Sequence, residues 1–525
     1  MSRQTAAVDC TSMLRSAIAL HQAGRLAEAE PLYRAVLAAA PDNFDALHLI
    51  GVLAHQQGRH TEAVALIGAA LAQRPDEPVG LANRSAALNA LRRFEESLAD
   101  CDKAIAAKPD HVDAFINRAL ALKELNRAHE ALASCDKALR LKPDSADACN
   151  NRGLALIALQ RPADALASYE RALALDPHNA EACNNRGLTL YELGRIDEAR
   201  ASFDRAVAIR PAFAQAYWNR AQAMLLAGDF EQGWRAHEWR LKAHPELQRA
   251  FAQPLWLGDW PLAGKTILLH AEQGLGDTLQ FCRYAPLVAA QGARVVLEVQ
   301  KPLVDLLRDL PGVATVVARG EALPEFDLHC PLLSLPLAFG ATLESIPATI
   351  PYLRPPTDRA AAWKERLGTT TRPRIGLVWS GNAGHKRDRA RSIPLYALMP
   401  LFDLEATFVS LQKDVRAADA AVLQQSAKLI DVSADLETFA DTAALIAQLD
   451  LVIAVDTGVA HLAGALGKPL WLLLPTAPDW RWLTDRHDSP WYPGARLFRQ
   501  NATRAWGPVV ARVRAALQET IARSS

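Results

Sequence analysis

Three short segments carry residues whose types and spacing could do chemistry. The first is the loop AEQGLGD, which ends at Asp277 and follows the apolar stretch Thr266–His270. Its glycines, Gly274 and Gly276, allow the backbone to approach a ligand closely. Asp277 would deliver a carboxylate to the same place. The pattern Gly-x-Gly-Asp therefore predicts a ligand-facing loop, although it does not identify the ligand.

The second segment is the loop SGNAGHKRDRARS, which begins at Ser380 and Gly381 and ends at Ser392. It carries four cations and one acid: Lys386, Arg387, Arg389, Arg391 and Asp388. A glycine-containing loop with this positive charge suits a diphosphate, because its cations and backbone N–H groups donate to phosphate oxygens. A solvated basic loop is the alternative.

The third segment, DTGVAH, runs from Asp456 to His461, between an apolar strand and an apolar helix. A helix N-terminus offers free N–H groups and a partial positive charge, which Thr457 and Gly458 would present. His461 lies one helical turn further along, on the same side. The segment predicts an anion site, with a purely structural role of His461 as the alternative.

Two further groups follow predicted strands. Gln412 and Lys413 end the segment SLQK and are candidates for contact with a nucleotide, although Lys413 could equally be an exposed lysine. Trp480, Arg481 and Trp482 follow the last strand of the series and could border a nucleotide base. Ordinary packing between domains is the alternative for these tryptophans.

Apolar runs of strand length precede these segments and must position them. Strand, loop and helix alternate in two series, which predicts two Rossmann-like halves with a cleft between them and ligands at the carboxyl ends of the strands. We expect the first half at 251–355, the second at 370–500 and a C-terminal helix within 501–525. The predicted strands are Thr266–His270, Arg294–Val299, Ile375–Trp379, Ala406–Leu411, Lys428–Asp431, Leu451–Val455 and Leu470–Leu474.

The N-terminal half of the chain has a fixed period. Seven prolines recur every 34 residues, the length of one tetratricopeptide repeat: Pro41, Pro75, Pro109, Pro143, Pro177, Pro211 and Pro245. Inside a helix each proline would cost about 3 kcal/mol, so it must close the second helix of a pair. The period predicts an all-α superhelix of seven repeats over 10–250. The predicted repeat starts are Cys10, Phe44, Pro78, Val112, Ala146, Ala180 and Ala214.

Two features interrupt simple packing in the repeats. The seventh repeat carries Gly233, His237 and Arg240 where its predecessors mostly have small or apolar residues, which predicts a junction. Five repeats place an asparagine followed by an arginine at one position, and the asparagines are Asn83, Asn117, Asn151, Asn185 and Asn219. Because an amide both donates and accepts, these residues could hold an extended peptide in the concave groove. The alternative is that each asparagine bonds within its own repeat while the arginine faces solvent.

Composition excludes several classes of protein. Lys+Arg and Asp+Glu both number 58, and the net charge of zero argues against a nucleic-acid partner. The N-terminus lacks a secretory pattern, and no apolar run approaches the roughly 20 residues that cross a bilayer. The seven cysteines include no C-x-x-C pair and are expected to pack as small residues. We therefore expect a cytoplasmic protein without a membrane span.

The motifs HAEQGLGD, RIGLVWSGN and VDTGVAHLAGALGKP together resemble the family 9 glycosyltransferases, which are heptosyltransferase-like enzymes of the GT-B type. The resemblance covers about 265–500. The combination with tetratricopeptide repeats resembles bacterial repeat–glycosyltransferase fusions, some of which modify proteins such as flagellins. The asparagines resemble the ladder of the animal O-linked N-acetylglucosamine transferases.

The resemblance implies an inverting displacement at an anomeric carbon, with Asp277 as the candidate base for the acceptor hydroxyl. Lys386 and the helix start at Thr457 and Gly458 would stabilise the departing nucleotide phosphate. The first half would take the acceptor and the second the nucleotide sugar, with the final helix returning to the first half. We expect no metal or cofactor, because the Asp-x-Asp triplet that begins at Asp100 lies on a repeat helix and reads as surface charge.

The leading hypothesis is a glycosyltransferase whose repeats recruit a protein acceptor, with a flagellin-like protein as one candidate. One rival keeps the enzyme but transfers the sugar to a lipid-linked or polysaccharide glycan, so that the repeats only dock a partner. The other rival is a non-catalytic repeat scaffold with a decayed transferase domain. The presence of Asp277, Lys386, Asp456 and His461 argues against decay.

Overall fold

The computed structural model describes residues 10–385, 387–426, 428–501 and 503–524. The chain divides into two compact units. One comprises the residues up to Leu190 together with Ala208–Arg210, and the other comprises Tyr191–Val207 and Pro211–Ser525. The predicted fold class is confirmed, because a helical repeat region precedes an α/β region with two parallel sheets.

Every repeat begins its first helix at the residue that the proline period predicts. The first six repeats end their second helix at the second residue before the periodic proline, because proline cannot continue a helix. The repeat helices are α1 (Cys10–Gln22), α2 (Leu26–Ala39), α3 (Phe44–Gln56), α4 (His60–Gln73), α5 (Pro78–Ala90), α6 (Phe94–Ala107), α7 (Val112–Glu124), α8 (Ala128–Leu141), α9 (Ala146–Ala158), α10 (Pro162–Leu175), α11 (Ala180–Glu192), α12 (Ile196–Ile209), α13 (Ala214–Leu226) and α14 (Phe230–His237).

Small residues allow the two helices of a pair to approach closely. A Cβ atom on Gly51 would lie 2.5 Å from Cγ1 of Ile67, and one on Gly153 would lie 2.4 Å from Cε1 of Tyr169. Both distances are far below van der Waals contact, so a larger side chain at either glycine would force the helices apart.

The seventh repeat departs from its predecessors in its second helix. Helix α14 ends early, and the short helix α15 (Arg240–Ala243) and a 3₁₀ turn at Pro245–Leu247 follow it. Trp234 of α14 is buried, and its indole N–H donates to the carbonyl of Ala341 at 3.0 Å. The end of the repeat region therefore packs into the same compact unit as the α/β region.

The first sheet of the α/β region has four parallel strands in the order β3-β2-β1-β4. The strands are β1 (Thr266–His270), β2 (Arg294–Val299), β3 (Val313–Ala318) and β4 (Leu328–Pro331). The first two match the predicted strands residue for residue. Strand β3 was not predicted, because it lies in an apolar stretch that also suits a helix, and neither was β4, which is short and ends in proline.

The second sheet has six parallel strands in the order β10-β9-β8-β5-β6-β7. The strands are β5 (Arg374–Val378), β6 (Thr407–Ser410), β7 (Leu429–Ile430), β8 (Leu451–Val455), β9 (Leu470–Leu474) and β10 (Ala495–Arg499). Strand β10 was not predicted either, because two of its five residues are arginines and it therefore lacks the apolar pattern of the other strands.

The helices of the α/β region connect and cover these strands. They are α16 (Leu275–Phe281), α17 (Ala285–Ala290), α18 (Val304–Leu307), α19 (Leu335–Ala338), α20 (Thr357–Leu367), α21 (Asp388–Arg391), α22 (Ala417–Gln425), α23 (Phe439–Ile446), α24 (Gly458–Ala465) and α25 (Gly507–Ser524). Contrary to the family expectation, α25 packs on the second sheet, where Val509, Val513 and Leu517 join the core that contains Trp471 and Phe498.

Within the described part of the chain, no helix is both long and apolar enough to span a membrane.

Candidate functional site

The first candidate residue, Asp277, lies in the first turn of α16, directly after β1. Its Oδ2 accepts the backbone N–H of Gly274 at 2.8 Å, so the carboxylate caps its own helix. The parallel sheet places this loop at the carboxyl end of β1, where ligands bind in Rossmann-like folds. The carboxylate is thus fixed by local hydrogen bonding.

A buried arginine pairs with Asp277. Arg481 donates from Nη2 to Oδ1 of Asp277 and from Nη1 to Oδ1 of Asp479 at 2.8 Å, and its side chain is only 7% exposed. Its Nε donates to Oε1 of Gln280 at 2.5 Å. Burial opposes the charge of this guanidinium, yet the two carboxylates raise the pKa of Arg481 above its usual value. Sequence reasoning missed Asp479 and Gln280, because only the fold brings them to Asp277.

Asp456 and His461 lie together after β8. Oδ1 of Asp456 is 3.8 Å from Nε2 of His461, and the other ring nitrogen lies 2.9 Å from the hydroxyl of Tyr492. Burial, reinforced by Arg481, lowers the pKa of His461 to about 3, so the imidazole is neutral near pH 7. Burial and the nearby Asp479 raise the pKa of Asp456 to about 6. The neutral imidazole therefore forms no ion pair with Asp456 at neutral pH, and at 3.8 Å the two side chains are too far apart for a hydrogen bond.

Gly276 is the point at which the two loops meet. A Cβ atom on Gly276 would lie 2.8 Å from Cδ2 of His461 and 3.4 Å from Cα of Gly458. Only glycine allows α16 and α24 to approach this closely. Thr457 precedes α24, and its hydroxyl donates to the carbonyl of Val455 at 3.3 Å. The structure thus brings the predicted residues Asp277, Gly276, Gly458 and His461 together.

The basic loop lies beside the same strand ends. Arg391 donates from Nη1 to the backbone carbonyl of Asp456 at 2.9 Å. A Cβ atom on Gly381 would lie 2.6 Å from Nη2 of Arg391, so glycine makes room for that guanidinium. The acid of the loop, Asp388, is neutralised by Arg416 at 2.5 Å. Lys386, predicted to bind phosphate, lies outside the described residues.

The other two cations of the loop differ in their surroundings. Arg387 donates from Nη2 to the carbonyl of Ala477 at 2.6 Å, whereas Arg389 is exposed. Arg387 therefore binds the loop that follows β9, whereas Arg389 faces solvent.

Gln412 supports the backbone at the end of β5. Its Oε1 accepts the N–H groups of Trp379 at 3.3 Å and Ser380 at 3.1 Å. The hydroxyl of Ser380 is buried and has no hydrogen-bond partner among the described residues.

Lys413 is exposed, and its Nζ donates to the carbonyl of Glu437 at 2.7 Å. Gln412 thus positions the loop, and a direct contact of either residue with a nucleotide stays a prediction.

Trp480 lies in an aromatic cluster. It is 1% exposed, and its ring centroid is 5.1 Å from Trp234, 6.1 Å from Trp491 and 6.4 Å from Phe281. These contacts fit the packing alternative, and a role of Trp480 at a nucleotide base stays a prediction. Trp482, by contrast, stacks on the imidazole of His461, with ring centroids 5.4 Å apart.

The asparagine ladder joins consecutive repeats. The amide nitrogens of Asn117 and Asn151 donate to the carbonyls of Ala82 at 2.9 Å and Ile116 at 3.5 Å, and that of Asn185 donates to Oδ1 of Asn150 at 3.0 Å. Each partner belongs to the preceding repeat. Asn83 likewise contacts His48 at 2.9 Å, whereas Asn219 accepts from Gln215 within its own helix.

The arginines beside the ladder do not simply face solvent. Arg152 donates to Asp136 of the preceding repeat at 2.8 Å and to Ser168 of its own repeat at 2.9 Å. Arg118 repeats this arrangement with Asp102 at 2.7 Å and Ser134 at 2.8 Å. The ladder and its arginines are therefore inter-repeat connectors, which neither sequence interpretation foresaw. Peptide binding by the asparagines stays a prediction.

The interpretation of Asp100 as surface charge was wrong. Asp100 is 4% exposed, and both of its oxygens accept from Arg84 at 2.6 Å. The described residues contain no group of three or more His, Cys, Asp or Glu side chains that could hold a metal ion. Metal independence remains a prediction.

Family models match segments in both parts of the chain. Tetratricopeptide repeat matches cover residues 14–78, 86–146, 150–212 and 187–233. Glycosyltransferase family 9 (heptosyltransferase) matches residues 405–478, a segment that includes Gln412, Asp456 and His461. The match lies within the second sheet and does not reach Asp277.

Among curated proteins, Protein FlbA of Caulobacter vibrioides is 31% identical over 330 residues, which is 56% of this chain and 54% of that relative. The chain thus spans about half of the length of FlbA. Among solved structures, a thermophilic tetratricopeptide repeat protein of Thermus thermophilus matches 35% of this chain and 99% of its own, with 24% identity and a TM-score of 0.33. One of Parabacteroides merdae matches 45% of this chain and 92% of its own, with 18% identity and a TM-score of 0.38.

The repeats and the family 9 match together support a glycosyltransferase-like function, and the repeats indicate protein–protein interaction. The chain thus carries tetratricopeptide repeat matches in its N-terminal helical region and a glycosyltransferase family 9 (heptosyltransferase) match in its C-terminal α/β region.

Proposed function

We propose that this protein transfers a sugar from a nucleotide-sugar donor to a protein acceptor that the repeats recruit. The observation that carries the proposal is the contact at Gly276, which sets the Asp277 loop of the first sheet against the start of α24 in the second. In this proposal the carboxylate serves the acceptor hydroxyl and the helix N-terminus serves the leaving diphosphate.

In this proposal Asp277 takes the proton of the acceptor hydroxyl. The hydroxyl oxygen attacks the anomeric carbon from the face opposite the diphosphate, the bond to the diphosphate breaks, and the configuration inverts. Arg481 and the N–H of Gly274 orient the carboxylate, so little reorganisation is needed during the reaction. The proton and the sugar thus move in one step without a metal.

The negative charge of the leaving diphosphate must be stabilised by hydrogen-bond donors and cations of the second Rossmann-like half. We assign these roles to Lys386, Arg391 and the N–H groups at Thr457 and Gly458. Arg391 is half-buried beside Gly381 and the carbonyl of Asp456, which supports its assignment. Because His461 is neutral, it offers one ring N–H or one lone pair and adds no charge that would compete with these cations.

One observation favours the rival acceptor, a lipid-linked or polysaccharide glycan. Asn117, Asn151 and Asn185 already donate at least one amide N–H each to the preceding repeat, which leaves at most one N–H and the amide oxygen of each for a peptide backbone. We retain the protein acceptor because a groove lined with partly exposed amides suits a backbone. A flagellin-like protein is one candidate.

The donor side is tested by thermal-shift binding of the full chain with ADP, UDP, GDP, CMP and their sugars. A true ligand at a hundredfold excess over its Kd stabilises the fold by about 2.7 kcal/mol. We expect a shift with one nucleotide that Lys386→Ala removes, because the ammonium would pair with phosphate. Lys364→Ala, on the exposed part of α20, is the matched control and should keep the shift. No shift with any nucleotide would support the scaffold hypothesis.

The acceptor side is tested by replacing Asn117, Asn151 and Asn185 together with alanine. We expect weaker binding of a peptide acceptor and unchanged binding of the donor nucleotide, measured by calorimetry. Asn89→Ala is the control, since buried Asn89 also donates across a repeat boundary, to the carbonyl of Asn117 at 3.1 Å. Unchanged peptide affinity in the triple variant would contradict recruitment through the ladder and favour the glycan acceptor.

A further inference from the structure

A fully buried arginine of the seventh repeat contacts the loop that carries Asp277. Arg240 of α15 is 0% exposed, and its Nε and Nη2 donate to Oε1 of Glu272 at 3.0 and 2.8 Å. Glu272 is 5% exposed and lies between β1 and α16, in the segment AEQGLGD. The contact therefore joins the end of the repeat region to the loop of the candidate base.

The remaining donors of Arg240 are also used. Nη1 donates to Oε1 of Glu238 at 2.5 Å, and Nη2 donates to the hydroxyl of Ser334 at 2.7 Å. The same hydroxyl donates to Glu238 at 2.9 Å. One guanidinium thus holds two carboxylates and a hydroxyl in fixed positions, as the fork geometry of arginine allows.

The other anchors of the loop lie outside the repeat region, such as Arg481, which pairs with Asp277. Gln300 donates to the carbonyl of Gln273 at 2.9 Å and accepts from the hydroxyl of Thr278 at 2.9 Å. The second oxygen of Glu272 has no hydrogen-bond partner among the described residues. Oε1 of Glu272 is thus the atom through which the loop is fixed to the repeat region.

We propose that Arg240 is a positioning residue for the Asp277 loop and that it acts through Glu272. The inference rests on the proposed function, because it takes Asp277 as the group that receives the proton. Only four residues lie between Glu272 and Asp277, so a shift of the first displaces the second. A displacement of about 1 Å in a reacting group can cost on the order of 10²-fold in rate. The last repeat is then a structural part of the transferase site.

The electrostatics of Glu272 agree with this role. Burial, with smaller contributions from Glu238 and Asp277, raises the pKa of Glu272 to about 7 although Arg240 opposes the shift. Without Arg240, the carboxyl would keep only the neighbours that repel its charge. It would then turn towards water or take up a proton, and either change moves the loop.

The test uses the full chain with Arg240→Met, Arg240→Lys and Glu272→Gln. Arg249→Met is the matched control, because Arg249 also pairs with a buried glutamate of the first sheet, Glu298, at 2.7 Å, but does not touch the Asp277 loop. Two readouts are taken for each variant. One is kcat together with the Kd of the donor, and the other is hydrogen–deuterium exchange of the peptide 271–281, which needs no turnover.

We expect Arg240→Met to lower kcat on the order of tenfold to 10²-fold with the donor Kd within twofold, and to speed exchange of the peptide 271–281. Arg240→Lys should recover part of kcat, Glu272→Gln should show a smaller loss, and Arg249→Met should change neither readout. Wild-type kcat or wild-type exchange in Arg240→Met would overturn the proposal, as would equal losses in Arg249→Met. Absence of turnover in the wild type would refute the proposed function, while the exchange readout would still decide whether Arg240 fixes the loop.

Discussion

Asp277→Asn is expected to lower kcat by about 10²–10⁴-fold while donor binding is retained. The amide keeps the shape of the side chain but cannot take the acceptor proton. The donor would bind at the ends of β5 and β8, so its Kd should stay within twofold. The measurement is single-turnover sugar transfer with saturating donor, compared with nucleotide binding to the same variant.

A suitable control is another aspartate that accepts a backbone N–H and pairs with a cation, as Asp277 does, but lies away from the candidate site. Asp327 lies at the opposite end of β1, where it accepts the N–H of Thr266 at 2.8 Å and pairs with Lys265 at 3.8 Å. Asp327→Asn therefore removes a carboxylate charge that likewise accepts a backbone N–H, although its cation partner Lys265 is exposed. If both variants lose stability alike and only Asp277→Asn loses transfer, the loss is chemical. Equal transfer by the two variants would refute the assignment of Asp277 as the base.

The repeat region was predictable because its signals are local. Prolines and small residues fix the start and end of each helix pair, and the helices begin at Phe44, Pro78 and the other predicted residues. Strands β1 and β8 were predictable for the same reason, because they are apolar runs bounded by glycine or by polar residues. Strands β4 and β10 were not, because their pairing is set by neighbouring strands and not by their own residues.

The candidate site was predictable in outline only. Motifs indicated Asp277, Gly276 and His461, and the fold brings these residues together. The motifs gave no signal for the partners of Asp277, since Arg481 and Asp479 lie about 200 residues away along the chain and meet it through the packing of two sheets. Arg240 was assigned to the junction, but nothing in the sequence indicated that its partner would be Glu272.

Arg481→Met is expected to lower the free energy of unfolding by about 3–5 kcal/mol at neutral pH. The side chain is buried between Asp277 and Asp479, so its removal leaves two carboxylates without their cation. Methionine fills a similar volume, so the loss is electrostatic and not a cavity. The measurement is urea unfolding of the full chain, followed by tryptophan fluorescence.

The loss should depend on pH in a definite direction. Although burial alone would raise it, the charge and hydrogen bonds of Arg481 lower the pKa of Asp479 below its usual value. A carboxyl with a lowered folded pKa stabilises the protein above its unfolded pKa, and that stability is lost as the pH falls through the folded value. Without Arg481, the pKa of Asp479 should rise, as should that of Asp456, which is already about 6. The difference between wild type and variant should therefore be largest above pH 6 and shrink towards pH 4.

Two further variants separate this explanation from a general effect of losing an arginine. Arg486→Met removes a nearby arginine whose pair with Asp488 is exposed, and such a pair contributes about 0–1 kcal/mol. The double variant Arg481→Met with Asp479→Asn removes one of the orphaned charges and should recover part of the stability. A loss of the same size at pH 4.5 and pH 7.5 would contradict the electrostatic account. In that case Arg481 would stabilise the site through packing on Trp480, over whose ring its guanidinium lies at 4.3 Å.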